Sequence, residues 1–178
     1  APLPPYTRSA EARRQRAGAP LWQLVDFREH VHADQRAGLE AALEAAGLLD
    51  AWVTPDGRLQ AADAASPLHD SQWTERPRQP ASLAAWLTPS ADATPPGVDA
   101  ALLTRLLEGI ACSAHDDGQA EGWIAVDGRF RLGALAGAWA KPQASYIGYA
   151  ARAAARARRL AEIDRRLHEI SVESRRID

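Results

Sequence analysis

Histidine and carboxylate side chains are the groups of this chain best suited to metal chemistry. His30 and His32 are separated by one residue, and His69 is followed directly by Asp70. Imidazole and carboxylate groups bind zinc when folding gathers three or four of them at one point. These four side chains would then form the centre of a small metal-dependent hydrolase. Both pairs fall in polar segments, where solvated loop histidines are the simpler interpretation, so we expect no metal or other cofactor in this chain.

The short motifs of nucleotide and acyl-transfer chemistry are missing from the sequence. The one lysine, Lys141, lies in AWAKPQ, so no G-x-x-x-x-G-K-[ST] loop can hold a nucleotide. Glu40 and Glu44 share one face of an alanine-rich segment, where we expect solvated carboxylates rather than an acid–base pair. The single cysteine, Cys112, excludes an intrachain disulfide and a CxxC metal motif, and it suits a cytoplasmic protein.

A basic run precedes the C-terminal part of the chain, although the net charge is −2. Between Lys141 and Arg159 there is no acidic residue. Arg152, Arg156 and Arg159 recur at spacings of four and three, which places them on one helix face. Such a face would bind DNA phosphates in a salt-dependent way. The candidate DNA-binding residues are Lys141, Arg152, Arg156, Arg158 and Arg159; the alternative is a solvated face, or one paired with a partner helix.

Apolar periodicity predicts the elements that would position these groups. Helical spacing is present in ADQRAGLEAALEAAGLL and in VDAALLTRLLEGIA, and SLAAWL is expected to form a short helix. LWQLVDF has the continuous apolar character of a buried strand. Two segments, AWVTPDGRLQA and WIAVDGRFRLGALAG, predict hairpins because Asp-Gly favours a tight turn. In the order just given, these segments span residues 33–49, 98–111, 82–87, 21–27, 51–61 and 123–137.

The two hairpin segments resemble each other. WVTPDGRL begins at Trp52 and WIAVDGRF begins at Trp123, and each follows a leucine-rich helix. Two ordinary hairpins could share this pattern by chance. The other interpretation is a single α+β domain built from two related helix–β-hairpin halves.

The last part of the chain carries a coiled-coil pattern. Apolar residues recur at alternating spacings of three and four, with Ser174 as the one polar interruption, which is the pattern of a and d positions. A seam of this length is marginal alone in water and requires a partner helix. The alternative is an amphipathic helix that lies on its own domain. The predicted seam residues are Leu160, Ile163, Leu167, Ile170 and Ile177.

Three blocks of the sequence resemble a known family. They are GAPLWQLVDF, then GLEAALEAAGLLDAWVTPDGRL, then FRLGALAGAWAKPQASYIGYAARAAARARRLAEI. The most specific run is W-x-K-P-x-A-x-Y-I-G followed by A-R-x-x-A-R. Together the blocks resemble the middle region of the SMC-like ATPase subunits, related to the MukB-like condensins, of Wadjet-type plasmid-defence systems. Residues 62–122 carry no such resemblance.

The resemblance implies a dimerisation hinge that joins two long coiled-coil arms. Residues 1–20 would be a lead-in and arm remnant, residues 21–148 the hinge, and residues 149–178 the start of an arm. The fragment would not be catalytic, because the ATPase site would lie elsewhere in the full protein. Gly133 and Gly137 are the expected dimer-interface residues, since hinges pair through sheet edges and glycine-rich segments.

The expected partners are a second copy of the chain, DNA and the other condensin subunits, with a cytoplasmic location and no membrane. In that assembly the hinge would hold two subunits together in a complex that entraps and extrudes plasmid DNA. A further alternative is a monomeric adaptor whose C-terminal helix pairs with another protein.

Overall fold

The computed structural model describes residues 13, 14, 16–59, 70–92 and 97–177. This part of the chain is a mixed α+β domain with small sheets and a long C-terminal helix. The N-terminal elements are β1 (Ala19–Pro20), α1 (Leu21–Leu24), β2 (Val25–Phe27), α2 (Ala33–Ala45) and β3 (Trp52–Val53). After a 3₁₀ helix at Leu83–Ala85 come β4 (Leu87–Pro89), α3 (Ala100–Glu108), β5 (Ala111–Cys112), β6 (Gly122–Ile124), β7 (Arg129–Leu132), β8 (Leu135–Ala138) and α4 (Tyr149–Ile177).

The strands form three sheets. Strand β1 pairs with β3, and β2 pairs with β4, both antiparallel. The third sheet has the order β5-β6-β7-β8, in which β5 and β6 are parallel and the other pairs are antiparallel. Leucines of α2 and α3 belong to the hydrophobic core, and Leu39, Leu43, Leu106 and Leu107 are all buried.

Both predicted main helices form, and local hydrogen bonds determine the C-terminal end of α2 and the start of α3. Helix α2 stops before Gly47, whose φ of 78° favours glycine. The N–H of Leu48 then bonds the carbonyl of Leu43, and the N–H of Gly47 bonds that of Glu44, which is the Schellman arrangement. Helix α3 begins after Asp99, whose side chain accepts a bond from the N–H of Ala101. The short helix predicted over residues 82–87 is a single 3₁₀ turn.

The prediction of one strand over residues 21–27 is wrong for its first half. Leu21–Leu24 form a helical turn, and only Val25–Phe27 extend as a strand. The turn buries Leu21 and Leu24, which are three residues apart and therefore on one helical face. A short continuous apolar run is compatible with either geometry, and only the surrounding packing decides between them.

The two related segments share a turn but not a hairpin. Gly57 bonds back to the carbonyl of Thr54, as Gly128 does to that of Ala125, and both glycines have positive φ. In each turn the aspartate accepts a bond from the N–H of the arginine two residues later. The second segment continues into the predicted hairpin of β6 and β7. In the first, β3 pairs instead with β1, and no strand follows the turn up to residue 59, so the first hairpin is not formed there.

Each turn packs against the helix that precedes the other turn. A Cβ at Gly57, in the first turn, would lie 2.7 Å from the Leu102 side chain of α3. A Cβ at Gly38, on α2, would overlap the carbonyl oxygen of Val126, at the start of the second turn. The absence of side chains at these two glycines allows both close approaches. The two helix–turn segments are therefore interlocked in a reciprocal way.

The four-stranded sheet extends one strand beyond the predicted hairpin. A two-residue turn at Gly133 and Ala134 leads from β7 into β8, and the φ of Gly133 is 56°. Leu135 and the other residues of β8 are exposed. Strand β8 therefore forms one edge of the sheet.

No helix in the described part of the chain is long and apolar enough to cross a membrane.

Candidate functional site at the exit of the C-terminal helix

Residues 139–148, the exit loop, connect β8 to the long helix α4. The loop lies against α2 and the N-terminal end of β2. Ile147 is 2 % exposed and anchors the loop in the core. Gly148 follows with a φ of 88°, and its N–H bonds the carbonyl of Val25. Helix α4 begins at the next residue, Tyr149, which coincides with the predicted start of the arm.

Glu40 of α2 binds the exit loop through its carboxylate. Its side chain is fully buried. Oε1 accepts bonds from the backbone N–H of Ser145 and from Nζ of Lys141, both at 2.6 Å. Oε2 accepts bonds from the N–H groups of Tyr146 and Ile147 at 3.0 and 2.9 Å. The expectation of a solvated carboxylate at Glu40 is therefore wrong, because three successive backbone donors enclose it.

Hydrogen bonding keeps Glu40 ionised. Burial alone would raise the pKa of this carboxyl, but the bonds from Lys141 and from the three backbone N–H groups outweigh burial and lower the pKa below its ordinary value. For Lys141, burial favours a lower pKa, and the bonds to Glu40 and Glu44 outweigh it, so that the pKa is raised. Both groups are charged at neutral pH.

Lys141 belongs to this interior arrangement and not to the surface. Its Nζ also bonds Oε2 of Glu44 at 2.8 Å and lies 4.6 Å from the ring centroid of Tyr146. Only 9 % of its side chain is exposed. This corrects the expectation that Lys141 is part of a DNA-binding surface, because its charge is already matched by two carboxylates.

Arg152, one turn into α4, holds the same loop from the other side. Its guanidinium donates to the carbonyls of Ile147 and Ser145 at 3.0 Å, and to that of Tyr146 at 3.3 Å. Glu40 thus binds the N–H groups of residues 145–147, while Arg152 binds their carbonyls. We call this arrangement the exit clamp: Glu40, Lys141 and Arg152 around residues 145–147. Arg152 is exposed, but its donors are used within the chain, which weakens its assignment to DNA.

Aromatic contacts complete the exit. The Trp22 ring of α1 lies 5.1 Å from that of Tyr149 in an edge-to-face arrangement, and 6.0 Å from that of Tyr146. The run W-x-K-P-x-A-x-Y-I-G is therefore the exit loop itself, and Arg152 is the arginine that binds it. Sequence reasoning singled out the run but not its role, because its acceptor, Glu40, lies about a hundred residues earlier in the chain.

The remaining predicted DNA-binding arginines are on the surface of α4. Arg156, Arg158 and Arg159 are exposed. Nη1 of Arg158 lies 3.9 Å from a carboxylate oxygen of Asp92. Both side chains are exposed, so this ion pair is weak and leaves the positive charge of Arg158 accessible. Within the described residues, Arg156 and Arg159 form no ion pair. Arg156 and Arg159 share the helix face of Arg152, with which Arg156 lines a groove, whereas Arg158 lies on another face.

The predicted seam is exposed along the helix. Leu160, Ile163, Leu167 and Ile170 are between 45 and 60 % exposed, so over this length α4 does not pack its apolar stripe against the part of the domain that the structure describes. Ile177 ends the helix. Opposite charges one turn apart, Glu162 with Arg166 and Arg165 with Glu169, support the helix itself.

The expected interface glycines, Gly133 and Gly137, shape the turn and the strand at the edge of the four-stranded sheet. Gly133 forms the turn, and a Cβ at Gly137 would lie 2.8 Å from the Phe130 ring. Gly137 thus makes room for Phe130, which is buried.

The candidate metal ligands are not gathered in the described part of the chain. His30 Nε2 contacts the carbonyl of Ala85 at 2.8 Å, and His32 caps α2. The Asp70 carboxylate bonds Arg13 and Arg16 at 2.7 and 2.8 Å. His69 lies outside the described residues. Among those residues no three His, Cys, Asp or Glu side chains form a group that could hold a metal ion.

Comparisons with protein-family models, with curated proteins and with solved structures found no match to this chain.

Proposed function

We propose that this chain is the dimerisation hinge of an SMC-like condensin ATPase of the Wadjet type. The observation that carries the proposal is the exit clamp. It fixes the first turn of a helix whose apolar seam is exposed along most of its length. Such a helix is directed outward from the domain by bonds at its base, as an arm that leaves a hinge must be.

The exposed seam supports a coiled-coil arm. Isolated helices of this kind are marginal in water, and most of their stability comes from packing the apolar stripe. The natural partner is the second arm of the same polypeptide, returning to the hinge. The reciprocal packing of the two Asp-Gly turns supports the two related halves that a hinge of this family would have.

The free edge of β8 supports dimerisation. Trp139 N–H bonds the carbonyl of Gly128, so residues 135, 137 and 139 direct their backbone groups towards β7. The backbone groups of Ala136 and Ala138 then point away from the sheet. Neither proline nor charge protects this edge, which is the usual defence against strand pairing. We therefore assign the interface to the backbone of Ala136 and Ala138, with Gly133 and Gly137 shaping the strand.

In this proposal, Arg156, Arg158 and Arg159 contact DNA where the arm leaves the hinge. The full complex, with its other condensin subunits, would entrap and extrude plasmid DNA. ATP hydrolysis would take place in a part of the full protein outside this chain.

Light scattering over a concentration series tests the proposal. We expect twice the monomer mass, and we expect it to persist when residues 160–178 are removed. Ala136→Pro should give a monomer, because it deletes an outward N–H without removing a bond to β7. Ala136→Val retains that N–H and is the matched control.

A monomer at every concentration would contradict the hinge. It would favour the other candidate, a monomeric adaptor whose exposed seam pairs with a helix of another protein. Loss of the dimer on removal of residues 160–178 would show that the seam alone pairs the copies.

A further inference from the structure

An open pocket of about 320 Å³ lies beside the exit loop. Its walls come from three separate parts of the chain: α1, the C-terminal end of α2 with the residues that follow it, and the exit loop. The lining residues are Trp22, Glu44, Leu49, Asp50 and Tyr146. Two aromatic rings and one aliphatic side chain therefore face a space that also contains two carboxylates.

The charges around this pocket are unequal. Glu40 and Glu44 share a single ammonium group, that of Lys141. Glu40 also receives three backbone N–H groups, whereas Glu44 has only Lys141 among the described residues. About a third of the Glu44 side chain is exposed. Negative charge is therefore accessible at the pocket wall.

The pocket wall already binds two cations of the chain itself, because Arg13 pairs with Asp50 at 3.1 Å and Lys141 pairs with Glu44 at 2.8 Å. Lys141 Nζ lies near the Tyr146 ring and bonds Glu44. An aromatic ring attracts a cation through its negative face, and a neighbouring carboxylate adds direct Coulomb attraction. Trp22 is held in place because its indole N–H bonds Asp50 at 3.1 Å. The walls are thus preorganised for a further cationic group beside the partly exposed Glu44.

We infer that this pocket binds a guanidinium or ammonium group carried on an apolar stem, as presented by an arginine or lysine side chain of a partner polypeptide. The head group would lie against Glu44 and the aromatic rings, and the stem would cover Leu49 and Trp22. Arginine fits best, because a planar guanidinium can stack on a ring while it bonds a carboxylate.

Binding there would act on the exit of α4. Tyr146 belongs to the exit loop, and Trp22 contacts both Tyr146 and Tyr149. A bound side chain would therefore brace the base of the helix. The inference goes beyond the hinge proposal and does not depend on it, since the pocket is formed by residues of one chain.

Titration with N-acetyl-arginine amide tests the inference, with the citrulline analogue as a neutral probe of the same shape. The readout is the NMR signal of the Trp22 indole N–H, assigned by its loss in Trp22→Phe. We expect a saturable shift with the arginine probe and none with the citrulline probe at equal ionic strength. Ethylguanidinium is a third probe. If its affinity equals that of N-acetyl-arginine amide, the pocket is a site for small organic cations rather than for side chains.

Glu44→Gln provides the decisive variant, because it retains the shape of the side chain and removes its charge. We expect it to weaken binding of the arginine probe about three- to fivefold, the range of a partly exposed ion pair. Glu29→Gln, an exposed carboxylate elsewhere, should leave binding unchanged. Equal shifts with arginine and citrulline, a shift that does not saturate, or unchanged binding in Glu44→Gln would each overturn the inference. None of these results depends on the mass measured by light scattering.

Discussion

Replacing Glu40 by glutamine should weaken the exit clamp more than any neighbouring substitution of the same kind. The carboxylate accepts donors at both oxygens, and an amide has only one acceptor. The N–H of Tyr146 lies within bonding distance of both oxygens, so the NH₂ group faces either one or two donors that lose their acceptor, depending on which way the amide turns. At about 1–3 kcal/mol for each unsatisfied buried group, the cost is about 1–6 kcal/mol. Breaking a buried ion pair typically costs about 3–5 kcal/mol, which agrees.

Urea unfolding followed by tryptophan fluorescence measures this cost. We expect the free energy of unfolding to fall by about 4 kcal/mol in Glu40→Gln. A domain of this kind has about 5–15 kcal/mol of stability, so the variant should remain folded without urea. Glu44→Gln is the matched control on the same helix. It should cost less than about 1 kcal/mol because its partly exposed carboxylate has only the bond from Lys141.

The direction in which α4 leaves the domain provides a second test of the exit clamp. Spin labels at Gln119→Cys and Ser171→Cys, diluted with unlabelled chain, report the distance from the domain to the helix. Glu40→Gln should broaden that distance distribution, while Glu44→Gln should leave it narrow. The reasoning is refuted if the two variants lose equal stability, or if Glu40→Gln leaves both the stability and the distances unchanged.

Acidic pH should reproduce part of the effect of Glu40→Gln. The folded-state pKa of Glu40 lies below its ordinary value of 4.5, because Lys141 and the backbone donors outweigh burial. The folded state therefore binds fewer protons than the unfolded state as pH falls through that value. The stability from this group is complete above the unfolded pKa and is lost as pH falls towards the folded pKa. Glu40→Gln should flatten this acidic limb of a stability–pH curve, and an unchanged limb would contradict the assignment.

Other predictions concern the packing, the thiol and the exposed arginines of α4. Gly38→Ala should destabilise the fold by about 1–3 kcal/mol in urea unfolding, because the added Cβ would overlap the Val126 carbonyl. This cost should exceed the gain from alanine's higher helix propensity, and a net gain in stability would contradict the close packing of α2 on the second turn. Burial raises the pKa of Cys112 to about 12, so a thiol reagent at pH 8 should label it only after unfolding, and rapid labelling of the folded protein would contradict its burial. In a DNA titration, replacing Arg156, Arg158 and Arg159 together by glutamine should reduce the slope of log binding constant against log salt concentration by about 2–3. The control is Arg165→Gln with Arg166→Gln, which removes two ion-paired arginines and should change that slope less. An unchanged slope in the triple variant would contradict DNA contact.

Local signals in the sequence were enough to predict several elements. The leucine spacing predicted α2 and α3, and Asp127-Gly128 predicted the turn between β6 and β7. The alternating three- and four-residue spacing predicted the apolar stripe of α4. These features depend on neighbours within a few residues, so a single chain segment contains all the information that specifies them.

Pairing of distant segments could not be predicted in the same way. Trp52-Val53 has the composition of a hairpin strand, yet it pairs with Ala19-Pro20. Whether a strand turns back on itself or joins another segment depends on which pairing buries more apolar surface in the whole fold. The same competition divided residues 21–27 between a helical turn and a strand.

The amino-acid sequence by itself determined the long C-terminal helix and its apolar seam, whereas the exposure of that seam was decided by the fold. Only the tertiary structure decided what Glu40 and Lys141 do. In sequence they are a carboxylate on an alanine-rich helix and a lone lysine in a basic run. In the fold they lie 2.6 Å apart under the exit loop, with their charges matched and buried. Burial is a property of the assembled chain, and it turned two apparent surface charges into the base of the helix.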